Sequence, residues 1–134
     1  MFEKILFPVD ASRETSHAIS IVADLGSRYN SHVYVLSVLD DSRVEPDQLE
    51  STRANIESLL QQTKAALRQV GLPEVKTLFR EGKTAFIICD VADEMDLSLI
   101  VMGSRGLGLG TEGVDDSVSN RVINLAPCPV LVVP

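Results

Sequence analysis

The chain has 134 residues, enough for one domain with a real core and too few for a second. Nineteen acidic residues against twelve basic ones give a net charge of −7, and aromatics are only 4% with no Trp, which argues against a duplex nucleic-acid binder. Apolar residues make up 45%, which excludes disorder, yet the longest apolar runs, such as residues 97–102, fall far below the roughly 18 needed to cross a bilayer.

The hydrophobic period switches repeatedly between strand-like and helix-like. Ile5-Leu6-Phe7-Pro8-Val9 is a short apolar run ending at Asp10 and predicts a buried strand. Ser12 then stands as the N-cap of a helix with Ala18, Ile21, Val22, Leu25 and Tyr29 on its apolar face, and Glu14 complements the dipole in its first turn. Residues 32–39, rich in valine, form the second predicted strand. Residues 40–50 hold five carboxylates and one Arg, and read as a solvated loop with Pro46 near the first position of the next helix.

That helix runs to about Val70, is expected to bury Ile56, Leu59, Leu60, Thr63, Leu67 and Val70, and stops at Gly71 and Pro73. Residues 75–79 make a weaker third strand. Thr84 is a candidate cap for a helix carrying Ala85, Ile88, Val91, Ala92 and Met95. Residues 97–102 are nearly all apolar, as expected of a strand buried on both faces. A glycine-rich loop follows from Gly103 to Gly113, then a short helix over 117–125 with Val118, Val122 and Ile123 inward, then a last strand over 129–133.

Strand and helix in regular alternation predict an α/β fold: an open parallel sheet covered by helices on both faces, as one unit over residues 1–134. Ligands of such sheets sit beyond the carboxyl ends of the strands. The candidate positions are therefore Asp10, the tail of the second strand, and the glycine-rich loop after the fourth.

The remaining chemistry is sparse. Cys89 and Cys128 form no CxxC and have no nearby His pair, so they read as reduced thiols of a cytoplasmic protein; His17 and His32 lack metal-ligand spacing. The start, Met1-Phe2-Glu3-Lys4-Ile5-Leu6, shows no signal peptide. Gly82-Lys83-Thr84 resembles the end of a P-loop, but Thr77 occupies the position of its first glycine. Gly108-Leu109-Gly110-Thr111-Glu112-Gly113 spells a dinucleotide fingerprint, yet begins too far past its strand. More specific is Gly103-Ser104-Arg105-Gly106 leaving a strand, followed by Asp116-Ser117-Val118-Ser119 at the opening of a helix. The glycines admit close approach of a ligand, and the helix start offers N–H and O–H donors to phosphate.

These pieces, in this order, resemble the universal stress protein family over essentially the whole chain. The matching segments are Ile5-Leu6-Phe7-Pro8-Val9-Asp10, Gly82 with Ala85, Leu99-Ile100-Val101-Met102-Gly103-Ser104-Arg105-Gly106, Ser117-Val118-Ser119-Asn120-Arg121-Val122, and Ala126-Pro127-Cys128-Pro129-Val130-Leu131-Val132-Val133. The resemblance implies a five-stranded parallel sheet of order 3-2-1-4-5 and a Rossmann-like, adenine-nucleotide hydrolase-like fold. It also implies a cytoplasmic homodimer paired through the last strand, Val130–Val133, with no nucleic-acid or membrane partner and an unknown protein partner.

Many members of the family bind ATP through Gly-x2-Gly-x9-Gly-Ser/Thr. Gly103 and Gly106 match the first two glycines and Ser117 the hydroxyl, while Asp116 stands where the third glycine would be. By the same resemblance Pro8, Val9 and Asp10 contact the nucleoside, Val38 and Met102 are apolar contacts, Arg105 opposes negative charge, and Val118 and Ser119 line the phosphate end. Asp116 places a carboxylate against a tri-anion, a repulsion of about 1 kcal/mol in water and about 4 at an effective dielectric near 20 for unit charges about 4 Å apart. AMP or a cyclic adenine nucleotide is thereby favoured over ATP, unless Mg²⁺ bridges Asp116 and the phosphates. The expected function is a stress-response sensor or adaptor with an adenine-nucleotide cleft. The alternatives are an interaction protein that binds no nucleotide and a slow ATP hydrolase.

Overall fold

The computed structural model describes residues 1–104 and 118–134. In chain order these form β1 (Lys4–Pro8), α1 (Arg13–Tyr29), β2 (His32–Leu39), two 3-10 turns (Asp41–Arg43 and Pro46–Gln48), α2 (Leu49–Gln69), β3 (Val75–Glu81), α3 (Thr84–Glu94), β4 (Leu99–Gly103), α4 (Val118–Leu125) and β5 (Val130–Val133). The strands make one sheet of order β3-β2-β1-β4-β5, and each neighbouring pair is parallel. Fold class and strand order are those expected from the sequence.

The pleat divides the core. Ile5, Phe7 and Val9 point to one face of β1 and join Val33, Val35 and Val101 beneath α1 and α2, where Ala18, Val22, Leu60 and Leu67 close the layer. Leu6 points to the other face and meets Leu36, Ile100 and Met102, covered by Ala85 and Ile88 of α3 and Val122 of α4. Side chains on both faces are therefore buried, so β1 and β4 read as continuous apolar runs rather than alternating ones.

Two glycines have backbones that an L side chain adopts only under strain. Gly71, at φ 107°, follows the end of α2, and Gly82, at φ 144°, turns the chain from β3 into α3. The Gly82 amide also donates to the carbonyl of Leu39 at 2.9 Å, extending the β2–β3 ladder to the rim of the sheet. Thr84 proves to be the first residue of α3, with Lys83 in the cap position and no side-chain cap bond. The segment expected as a solvated loop instead coils into the two 3-10 turns, the first opened by Asp40, whose side chain accepts from the Ser42 amide.

Candidate functional site

The carboxyl ends of β1 and β2 are tied together just where the chain leaves the sheet. The Val9 amide donates to the Leu36 carbonyl at 2.8 Å, and the buried Ser37 hydroxyl donates to the Val9 carbonyl at 3.3 Å. Asp10 then turns the chain into α1. Its Oδ1 accepts from the Ser12 amide at 2.9 Å and from the Thr15 hydroxyl at 3.2 Å, while its own amide donates to Thr15 Oγ1 at 3.2 Å. Ser12 has the extended backbone of an N-cap but makes no side-chain cap bond. Asp10 and Thr15 instead fix the turn that leads into α1, the carboxylate reaching the Ser12 amide two residues on in an Asx turn.

Beyond these strand ends lies a cleft of about 330 Å³. Pro8, Val9 and Asp10 line it from β1 and its tail, and Leu36 to Asp40 from β2 and its tail. Asn55, Ile56 and Leu59 of α2 form one wall, with Thr84 and Ile88 of α3 at the other side. Its lining is mainly apolar, with Asp10 and Asp40 as acidic groups and Arg43 as the cation. Arg43 Nε lies 3.5 Å from Asp40 Oδ2, and Asp40 Oδ1 also accepts from the Ser42 amide at 3.1 Å.

A second, more polar cavity of about 120 Å³ adjoins it and shares Asp40, Arg43 and Thr84. Lys83, Arg121 and Val118 are among its other lining residues. Arg43, Lys83 and Arg121 thus converge on one small space from the first 3-10 turn, the start of α3 and the first turns of α4.

Four of the residues singled out in the sequence, Pro8, Val9, Asp10 and Val38, therefore come together in the larger cleft. Met102 does not join them: it is fully buried in the core beneath α3 and α4. Gly103 is buried against α1, where a Cβ would come 2.6 Å from the Cβ of Glu14. Val118 lines the smaller cavity. Ser119 donates from its hydroxyl to the Ser104 carbonyl at 3.1 Å, pinning α4 to the end of β4. Arg105, Gly106, Asp116 and Ser117 lie outside the described residues.

Sequence reasoning missed Asp40, Arg43, Asn55, Ile56 and Leu59 as lining groups. Ile56 and Leu59 sit on the apolar stripe of α2, which reads as core whether it covers the sheet or overhangs a cleft. Asp40 and Arg43 were hidden in an acidic run, although their i, i+3 spacing is a signal for a local ion pair.

Both cysteines are free. Burial raises the Cys89 thiol above its ordinary range, with smaller contributions from Asp90 and Cys128, and burial likewise raises that of Cys128. Among the described residues no group of His, Cys, Asp and Glu could hold a metal ion, and no helix is long and apolar enough to cross a membrane.

The universal stress protein family model matches residues 1–134. A universal stress protein from Synechocystis is 50% identical over 138 aligned positions, covering all of this chain and 87% of the relative. Among solved structures, universal stress protein UspA from Lactobacillus plantarum superposes with a TM-score of 0.86 at 25% identity, covering 99% of this chain and 98% of that one. A universal stress protein solved in complex with cAMP gives 0.80 at 18% identity, covering 98% and 96% of the two chains. One from Archaeoglobus fulgidus in complex with dAMP gives 0.77 at 22% identity, with both chains fully covered. A match of family model and close relative over the full length, on the sheet order expected of it, makes this chain a member of the universal stress protein family.

Proposed function

We propose that the protein binds an adenine nucleotide in the larger cleft and acts as a cytoplasmic, dimeric stress-response sensor or adaptor, not as an enzyme. The observation that carries this reading is the cleft itself. It stands beyond the carboxyl ends of β1 and β2, next to the β1–β4 junction where the strand order reverses, which is where open α/β sheets hold ligands. Its volume of about 330 Å³ lies within the range of small-ligand sites, roughly 300–1,000 Å³. The apolar walls suit a base, and Asp10, whose Oδ1 is engaged by α1, offers Oδ2 to ribose hydroxyls. The family relatives solved with cAMP and dAMP support the same ligand class.

A nucleotide with few phosphates fits this chain better than ATP. The reason is Asp116 at the position of the motif's third glycine, with Glu112 and Asp115 nearby in sequence. Mg²⁺ bridging Asp116 and the phosphates is the route by which ATP would still bind. Dimerisation is assigned to β5, an edge strand with β4 as its neighbour and Leu131 38% exposed.

Calorimetric titration with AMP, cAMP and ATP, the last with and without Mg²⁺, tests the ligand, and sedimentation of the wild type and Leu131→Glu tests the dimer. Micromolar binding of AMP or cAMP, weaker binding of ATP, and a dimer that dissociates in the variant are expected. Absence of heat and of any melting shift with all three would instead leave a partner-binding member of the family whose cleft takes no nucleotide. Turnover of saturating Mg-ATP that survives repurification would establish the slow hydrolase.

A further inference from the structure

We infer that the groove between α1 and α2 is a second compartment of the larger cleft, one that takes a glycosyl unit carried on the ribose of the bound nucleoside. This rests on the nucleotide reading of that cleft and names the class of substituent its ligand bears. The groove measures about 280 Å³, close to the roughly 300 Å³ at which small-ligand sites begin. It adjoins the larger cleft at Asp10, Ala11 and Leu59, which line both spaces.

Thr63 carries the argument. It stands within α2 and is only 3% exposed, yet its hydroxyl makes no hydrogen bond among the described residues. It does not even bond the Leu59 carbonyl one turn back, the usual recourse of a helical threonine. Among the described residues every side-chain nitrogen or oxygen sealed from solvent has a partner. The Thr63 oxygen is therefore not sealed, and the groove that Thr63 lines is the space it opens to. A valine would fill the same volume without leaving a buried polar atom unpaired.

The rest of the lining defines the chemistry of the occupant. Ser12 and Ser16 add hydroxyls, Gln62 an amide, and Ile19 and Leu59 apolar surface. Asp10 is the one charged residue in the described lining, so the groove repels an anion and is no place for phosphate. A sugar ring meets these walls on every count: it is uncharged, its hydroxyls both donate and accept, and its C–H faces pack on aliphatic side chains. The point of attachment follows from Asp10, which borders both spaces. Its Oδ1 is held by the Ser12 amide and the Thr15 hydroxyl, and its Oδ2 is the oxygen offered to ribose hydroxyls. A group joined to one of those hydroxyls is the one that passes into the groove.

The test is calorimetry of the full chain with adenosine and with 2′-O-ribosyladenosine, for the wild type, Thr63→Val, Thr63→Ser and Ser16→Tyr, with melting curves to confirm that each variant folds. The wild type binds the ribosylated nucleoside about fivefold tighter than adenosine, the scale of one added hydrogen bond. Thr63→Val brings the two affinities together and Thr63→Ser restores the difference. Ser16→Tyr, at an exposed position on α1, obstructs the groove and makes the ribosylated nucleoside the weaker ligand. Adenosine binds all four proteins alike, since neither Thr63 nor Ser16 lines the larger cleft. A ribosylated nucleoside that binds the wild type no tighter than adenosine, or a preference that survives in both Thr63→Val and Ser16→Tyr, would overturn the inference and leave the nucleoside cleft standing. No binding of adenosine by the wild type would overturn the nucleotide reading, and this inference with it.

Discussion

Gly103 packs directly on Glu14. A Cβ at position 103 would lie 2.6 Å from the Cβ of Glu14 and 3.8 Å from its backbone carbon, so no rotation of the Glu14 side chain relieves the clash. Gly103 is the last residue of β4 and Glu14 lies in the first turn of α1. This glycine is therefore a packing requirement of the fold, whatever else its sequence motif supplies. Gly103→Ala is expected to lower unfolding stability in urea by about 1–3 kcal/mol without any nucleotide present, the usual cost of overpacking. An unchanged urea midpoint would mean that α1 moves aside freely.

Asp10 serves the helix before it serves a ligand. Removing its Oδ1 deprives the Ser12 amide and the buried Thr15 hydroxyl of an acceptor. Asp10→Ala should cost about 1–2 kcal/mol by thermal melting, the scale of a lost cap, and Asp10→Asn should recover most of it. Loss of adenosine binding in Asp10→Ala is interpretable only beside that melt. A variant as stable as the wild type would show that solvent replaces these bonds.

Replacing Asp116 by glycine removes a negative charge from the phosphate motif. Relief of about 1 kcal/mol of repulsion corresponds to roughly fivefold tighter ATP in competition titrations, with adenosine unaffected. Equal ATP affinities of the wild type and Asp116→Gly would place the triphosphate away from this residue.

The thiols set a stability limit at alkaline pH. Cys89 and Cys128 are both raised above the ordinary thiol range, chiefly by burial. The folded state therefore keeps protons that the unfolded chain has already released. The resulting stabilisation is complete below the ordinary thiol pKa and is lost as pH rises through the raised values. Denaturant midpoints should fall as the solution passes above about pH 9, and less steeply in Cys89→Ala, where one titrating thiol is gone. Both thiols should react with iodoacetamide at neutral pH far more slowly in the folded protein than in urea.

Much of this architecture is legible in the sequence because burial on both sheet faces leaves long apolar runs. The expected bounds of β2, residues 32–39, coincide with the observed strand, since its valines pair on both sides. The expected third strand is two residues short, because the observed strand continues through Arg80 and Glu81, polar residues at a rim that propensity treats as loop. Asp10 and the tail of β2 could be placed at one site because parallel topology brings strand ends together, whereas Pro8, Val9 and Val38 were named through the family resemblance. The wall from α2 could not, since the amphipathic stripe carrying Ile56 and Leu59 is the same whether it seals a core or faces a ligand. Nor could the bond from the Ser119 hydroxyl to the Ser104 carbonyl, a contact set by how α4 docks on β4.

Among the described residues, those lining the larger cleft all fall between Pro8 and Ile88, whereas the glycine-rich segment begins at Gly103. During synthesis this described lining therefore leaves the ribosome before the glycine-rich segment, and β1 waits for β4 to gain its second neighbour. A chimera that takes everything after Asp96 from a relative would therefore keep the described lining of the cleft while exchanging the whole glycine-rich segment.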